Sequence, residues 1–104
     1  MTSLNPLSVE TFTAPEARSQ HDVACFSVLG EAGPGLMPRV MQLFSKRGLV
    51  PARWHASRQG DTGEELVIDV QVTDMGPELA QRIGRSLRQV WGVDKVLVSA
   101  KTVY

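Results

Sequence analysis

The chain has 104 residues, 11 basic and 11 acidic side chains, a formal charge of zero and a single cysteine. That length suits one domain with one core, small enough to gain from pairing with another subunit. The balanced charge argues against nucleic acid and against an anionic membrane surface as partners. Cys25 alone can neither close an internal disulfide nor complete a Cys-x-x-Cys metal pair, so a reducing compartment is expected and no metal is.

Residues 1–21 are predicted to be a flexible arm. They carry Pro6, Pro15 and scattered Ser and Thr, and Leu4, Leu7, Val9 and Phe12 follow no sustained period. Leu7, Val9 and Phe12 remain available to add to a sheet edge or a partner subunit. The arm has no basic leader followed by an apolar run, and no segment approaches spanning length, so a cytoplasmic protein without a membrane anchor is expected.

From Asp22 the pattern is regular, and residues 22–104 form the predicted domain. Val23 to Leu29 alternates Ala24, Phe26 and Val28 against Cys25 and Ser27, a strand with one covered face. Gly30-Glu31-Ala32-Gly33-Pro34-Gly35 is a turn. A helical stripe of Leu36, Val40, Leu43 and Phe44 follows, with Pro38 in the first turn and Lys46-Arg47-Gly48 as the stop, giving a helix over about 36–47. A second strand is predicted from Leu49 to Arg58, with Val50, Ala52, Trp54 and Ala56 on its inner face. Gly60-Asp61-Thr62-Gly63 makes a hairpin to a third strand, Glu65 to Thr73, whose Leu66, Ile68, Val70 and Val72 alternate with Val67, Asp69 and Gln71. A second helix is predicted over 77–90 on the stripe Leu79, Ile83, Leu87 and Trp91, with Trp54 and Trp91 in the core. Gly92 ends it, and Val93 to Ser99 is the last strand.

Two helices with single apolar stripes need one common surface. The order βαββαβ therefore predicts an α+β, ferredoxin-like sandwich: a four-stranded antiparallel sheet with both helices on one face. That scaffold hosts many activities, so the residues must decide. An RNA-binding sheet needs exposed aromatic side chains on its central strands, and the outward positions here are small or polar. An acylphosphatase-like enzyme needs an arginine with an asparagine in reach, and Asn5 of the arm is the only asparagine. His21 and His55 stand in no Ser-His-Asp or Cys-His spacing, so catalytic residues are not expected. His55 and Asp69 are predicted neighbours across two strands, and Arg82, Arg85 and Arg88 a basic side of the second helix.

The glycine turn feeding the first helix is the segment with most chemical promise. A helix N-terminus offers unpaired N–H groups and a positive dipole end, a setting for a carboxylate or phosphate; the same glycines equally serve to reverse the chain and nothing more.

Glu31-Ala32-Gly33-Pro34-Gly35-Leu36-Met37-Pro38-Arg39-Val40, followed by Leu43-Phe44-Ser45-Lys46-Arg47-Gly48, resembles the loop and first helix of ACT domains. The nearest likeness is to the small regulatory subunit of acetolactate synthase (acetohydroxyacid synthase) in its short, single-domain form, over about residues 22–100. The resemblance implies a non-catalytic regulatory subunit without a cofactor of its own. It implies a homodimer or a complex with a thiamine-diphosphate-dependent catalytic subunit, and valine, leucine or isoleucine at a domain interface. Carried across, Gly33, Pro34, Gly35, Leu36 and Met37 match the ligand loop. Val50, with Pro51, stands where many relatives have Asn-Ile; a valine side chain makes no hydrogen bond. A free-standing ACT homodimer that senses another small molecule, or acts as an interaction module, is the alternative.

Overall fold

The structure is a computed structural model that describes residues 21–103. The expected arm, with Leu7, Val9 and Phe12, lies outside the described residues except for His21. The elements are β1 (His21–Glu31), α1 (Leu36–Lys46), β2 (Arg53–Gln59), β3 (Glu65–Thr73), α2 (Pro77–Arg88) and β4 (Val93–Val103). The four strands form one sheet in the order β2-β3-β1-β4, and every neighbouring pair is antiparallel. This is the predicted βαββαβ sandwich.

The core follows from the alternation along β1 and β3. Ala24, Phe26 and Val28 lie opposite Val72, Val70 and Ile68, and all six are buried. The helices cover this face with Leu36, Val40 and Phe44 from α1 and Ala80, Ile83 and Leu87 from α2. The Phe26 and Phe44 rings meet edge to face at 5.5 Å and 71°, the arrangement favoured by the aromatic quadrupole. The opposite face presents Cys25, Ser27, Arg53, His55, Asp69 and Gln71. His55 and Asp69 are register partners.

The main departures from expectation lie in β2 and α2. β2 starts at Arg53 rather than Leu49. Gly48 takes a left-handed φ of 70° that closes α1, with the Leu49 N–H donating to the Phe44 carbonyl, and Pro51 has no N–H to offer a neighbour. The first link to β3 is Ala52 N–H to the Gln71 carbonyl at 2.7 Å, which leaves Val50 outside the sheet and 84% exposed. On α2 the buried face is Ala80, Ile83, Gly84 and Leu87, and Leu79 lies at its exposed margin. Trp91 is not core. α2 ends at Arg88, and the Gln89 and Val90 N–H groups donate back to Ser86 and Leu87 carbonyls. The helical period stops there, and Trp91 turns outward, 75% exposed.

Two glycines mark close approaches. A Cβ on Gly84 would meet Val98 Cγ2 at 2.6 Å, so α2 sits against β4 at a distance that only glycine allows. A Cβ on Gly30 would run into the Gly92 carbonyl oxygen and meet Leu36 Cδ2 at 2.8 Å, where β1 passes the start of β4.

Candidate functional site

The glycine turn stands at one end of the sandwich, tied on two sides. Glu31 N–H donates to the Gly92 carbonyl at 3.0 Å, and Ala32 N–H to the Glu64 carbonyl at 2.9 Å, so the turn is anchored to both the α2–β4 connection and the β2–β3 hairpin. Within it, Gly33 N–H reaches the Glu31 carbonyl at 2.8 Å and Leu36 N–H the Gly33 carbonyl at 3.3 Å. Gly35 caps α1 without a side-chain partner. Pro38 brings no N–H to the first turn, so α1 has one amide donor fewer than a typical helix start.

Arg39 holds the far side. Its Nε and Nη2 donate to the Trp91 carbonyl at 3.1 and 2.9 Å, and its guanidinium lies 5.0 Å from the indole centroid. The fork is a bidentate, charge-assisted contact with a cation–π component. It passes over Gly35, where an added Cβ would meet the Arg39 guanidinium.

The predicted site residues separate. Gly33, Pro34 and Met37 line one cavity of about 340 Å³ together with Ala32, Arg58 and Leu66. Gly33 is exposed, and a Cβ there would meet nothing within 4 Å. Leu36 is 1% exposed and belongs to the core beneath the turn. Gly35 sits under Arg39. Val50 is at the opposite end of α1; eleven helical residues at about 1.5 Å each put it some 16 Å along the axis from the turn. The fold of one chain does not bring Val50 to Gly33.

Arg58 and Leu66 are not among the predicted site residues, although the sequence carries a signal for Arg58. Trp54, Ala56 and Arg58 share one parity of β2, so Arg58 is a cation in register with two apolar residues on the helix side. It pairs with Leu66 of β3, and its Nε donates to the Gly63 carbonyl at 3.0 Å. The cavity is thus apolar at Ala32, Pro34, Met37 and Leu66, with one guanidinium at its rim. A short aliphatic chain bearing a carboxylate matches that lining. The hairpin beside it carries Glu64, whose carboxylate accepts the Thr62 hydroxyl at 2.6 Å and the Thr62 N–H at 3.0 Å. The Thr62 hydroxyl, followed by the backbone N–H groups, holds the Glu64 carboxyl below its ordinary pKa.

On the open sheet face, a shallow concavity of about 510 Å³ is lined by Cys25, Ser27, Arg53, His55, Asp69 and Gln71 among others. No hydrogen bond joins His55 to Asp69. Among the described residues no group of three or more His, Cys, Asp and Glu side chains is placed to hold a metal ion. No helix there is long and apolar enough to cross a membrane.

The family model described as ACT-like domain matches residues 17–103. The chain belongs to the ACT-like domain family. ACT domains are regulatory, ligand-binding modules, and the match runs through every described element from β1 to β4. Solved structures share the fold. The ACT domain of a GTP pyrophosphokinase from Chlorobium tepidum superposes with a TM-score of 0.62 at 17% identity, covering 74% of this chain and 96% of that one. The C-terminal domain of the MgtC protein from Mycobacterium tuberculosis gives 0.60 at 14% identity, covering 77% and 87%. The regulatory subunit of aspartate kinase from Thermus flavus gives 0.57 at 20% identity, covering 78% of this ACT-like chain and 55% of that one. At these identities the likeness is one of fold alone. No curated protein matches the sequence.

Proposed function

We propose that this ACT-like chain is a non-catalytic regulatory protein that responds to a small amino acid at its glycine turn, as a small subunit modulating an acetolactate synthase-like, thiamine-diphosphate-dependent enzyme. The observation that carries the ligand is the cavity of Ala32, Gly33, Pro34, Met37, Arg58 and Leu66, apolar with one cation at its rim. Valine, leucine and isoleucine have the matching chemistry: a branched aliphatic chain for Met37 and Leu66, and a carboxylate for Arg58. Two copies joined edge to edge would bring their glycine turns together at the interface, with Val50 of each chain still about 16 Å from its own turn. A ligand there stabilises one arrangement of the pair over another, which is how binding becomes regulation. The resemblance over Glu31–Gly48 supports the synthase partner.

Calorimetric titration of the full chain with each branched-chain amino acid tests the sensor. Heat that saturates at or below millimolar ligand is the expected result, and none at that concentration removes it. Co-purification with an acetolactate synthase catalytic subunit, with a change in that enzyme's rate, tests the partner. A second reading is favoured by Val50: exposed, apolar and remote from the turn within one chain, it contributes no polar contact to a ligand. In that reading the chain is a free-standing ACT homodimer that senses a different small molecule or acts as an interaction module. Migration as a dimer that leaves the synthase unchanged would select it.

A further inference from the structure

The zero net charge of the chain conceals a separation of charge between its two layers. The helices and their caps carry Arg39, Lys46, Arg47, Arg82, Arg85 and Arg88 against one acid, Glu78. The strands and hairpins hold the other described acids, Glu31, Glu64, Glu65, Asp69 and Asp94 among them, against fewer bases. Three of the helix cations have partners inside the fold. Arg39 is on the Trp91 carbonyl, Arg88 donates to the Val96 carbonyl at 2.9 Å, and Arg47 donates to the Leu43 carbonyl and the Ser86 hydroxyl, each at 3.2 Å. The expected single basic side of Arg82, Arg85 and Arg88 is therefore divided, with Arg88 turned to β4. Arg82 and Arg85 are exposed and make no hydrogen bond or ion pair with any described residue.

Both line a groove of about 480 Å³ between the helices, with Arg47 on the α1 side and Leu79 and Ile83 as its apolar part. Bridged to α2 through Ser86, Arg47 has a fixed place in the wall.

We infer that this inter-helix groove is a docking surface for an acidic, amphipathic segment of another protein, whose carboxylates pair with Arg82, Arg85 and Arg47 while an apolar side chain covers Leu79. Charge complementarity selects the occupant. Guanidinium groups bind carboxylates bidentately, and a partly apolar groove between cations discriminates an amphipathic chain from a uniformly charged one. A nucleic acid is disfavoured by the acidic hairpin and sheet layer and by the absence of an aromatic side chain in the groove lining. A membrane surface needs apolar side chains standing clear of the cations; on these helices Met37, Met41 and Leu79 are each 40% exposed or less. The groove lies on the helix layer and does not share a lining residue with the glycine-turn cavity, so it serves a partner whether or not an amino acid binds at the turn.

The test uses the full chain and a synthetic 14-residue peptide built of glutamate and leucine at helical spacing. Its controls are the same peptide with glutamine for glutamate, a single-stranded RNA of equal length, and vesicles of phosphatidylserine with phosphatidylcholine. The acidic peptide is expected to bind, with amide shift changes concentrated at Arg47 and residues 78–89. Binding should weaken as salt rises, and the glutamine peptide should bind at least tenfold more weakly. The double variant Arg82→Glu with Arg85→Glu should lose at least tenfold in affinity. Arg53→Glu with Lys95→Glu, the same change in net charge placed on the sheet layer, should keep it. Circular dichroism of each variant verifies that both remain folded. Equal loss in both double variants would reduce the effect to overall charge and overturn the assignment. So would no binding of the acidic peptide at millimolar concentration, or tighter binding of the RNA or the vesicles.

Discussion

Gly30→Ala and Gly33→Ala make a paired test of how the turn is built. They lie three residues apart, but their surroundings are opposite. At Gly30 the new methyl group would overlap the Gly92 carbonyl oxygen and press on Leu36 Cδ2 at 2.8 Å. The carbonyl cannot swing aside, because it accepts the Glu31 N–H at 3.0 Å and belongs to a glycine already at a φ of 94°. Overpacking a rigid site costs about 1–3 kcal/mol, and losing that hydrogen bond adds about 1 kcal/mol. The reduced entropy of the unfolded chain returns about 0.4–1 kcal/mol. These terms sum to a net loss of about 1–3.5 kcal/mol, centred near 2, which for a domain of this size lowers Tm by roughly 5–25 °C. At Gly33 an added Cβ meets nothing and φ lies outside the left-handed region, so only the entropic gain of about 0.4–1 kcal/mol remains. Urea unfolding followed by far-ultraviolet circular dichroism separates the two, provided the m-value is shared. Equal midpoints, or a stable Gly30→Ala, would refute the close approach of β1 to the α2–β4 turn. Because Gly33 lines the 340 Å³ cavity, Gly33→Ala should also weaken an amino-acid ligand while leaving the fold at least as stable.

Phe44→Ala removes the ring packed on Phe26 at the centre of the core and should cost about 3–5 kcal/mol; a change below about 1 kcal/mol in denaturant unfolding would contradict that placement. Arg39→Ala releases the Trp91 carbonyl and uncovers one face of the indole. A loss of about 1 kcal/mol, discounted for exposure, and a change in tryptophan fluorescence are expected; unaltered fluorescence would argue against the contact. Thr62→Val deletes the hydroxyl that holds the Glu64 carboxyl low, so its pKa, followed by side-chain carboxyl NMR, should rise toward the ordinary glutamate value. In the native protein the folded pKa of Glu64 is the lower one, so its contribution is present above the unfolded pKa and is lost as pH falls through the folded value. Thr62→Val should flatten that acid-side dependence.

The fold was legible because its signals are local. Alternation along Val23–Leu29 and Glu65–Thr73 identifies which face of each strand is dry, and β3 begins and ends where that pattern does. Leu36, Val40 and Phe44 repeat at helical spacing and are the residues α1 buries. Two apolar helix stripes and one dry sheet face admit few arrangements, and βαββαβ is among them. The turn of Gly33 and Pro34 was equally visible, since glycine and proline declare a change of direction from their own stereochemistry.

Long-range geometry decided the rest. Trp91 continues a fourfold spacing on paper, yet α2 ends three residues earlier, and the ring meets Arg39, 52 positions away in the chain. Val50 fits the inner parity of a strand that starts only after Pro51. Gly30 and Gly84 read as ordinary glycines until Gly92 and Val98 are beside them. Arg58 joins Met37 through the pairing of β2 with β3 and the path of α1 across the sheet. Side-chain periodicity is encoded residue by residue along the chain. Which residues from different elements touch depends on where each helix stops and on how closely two backbones pass, and those distances exist only once the layers have packed.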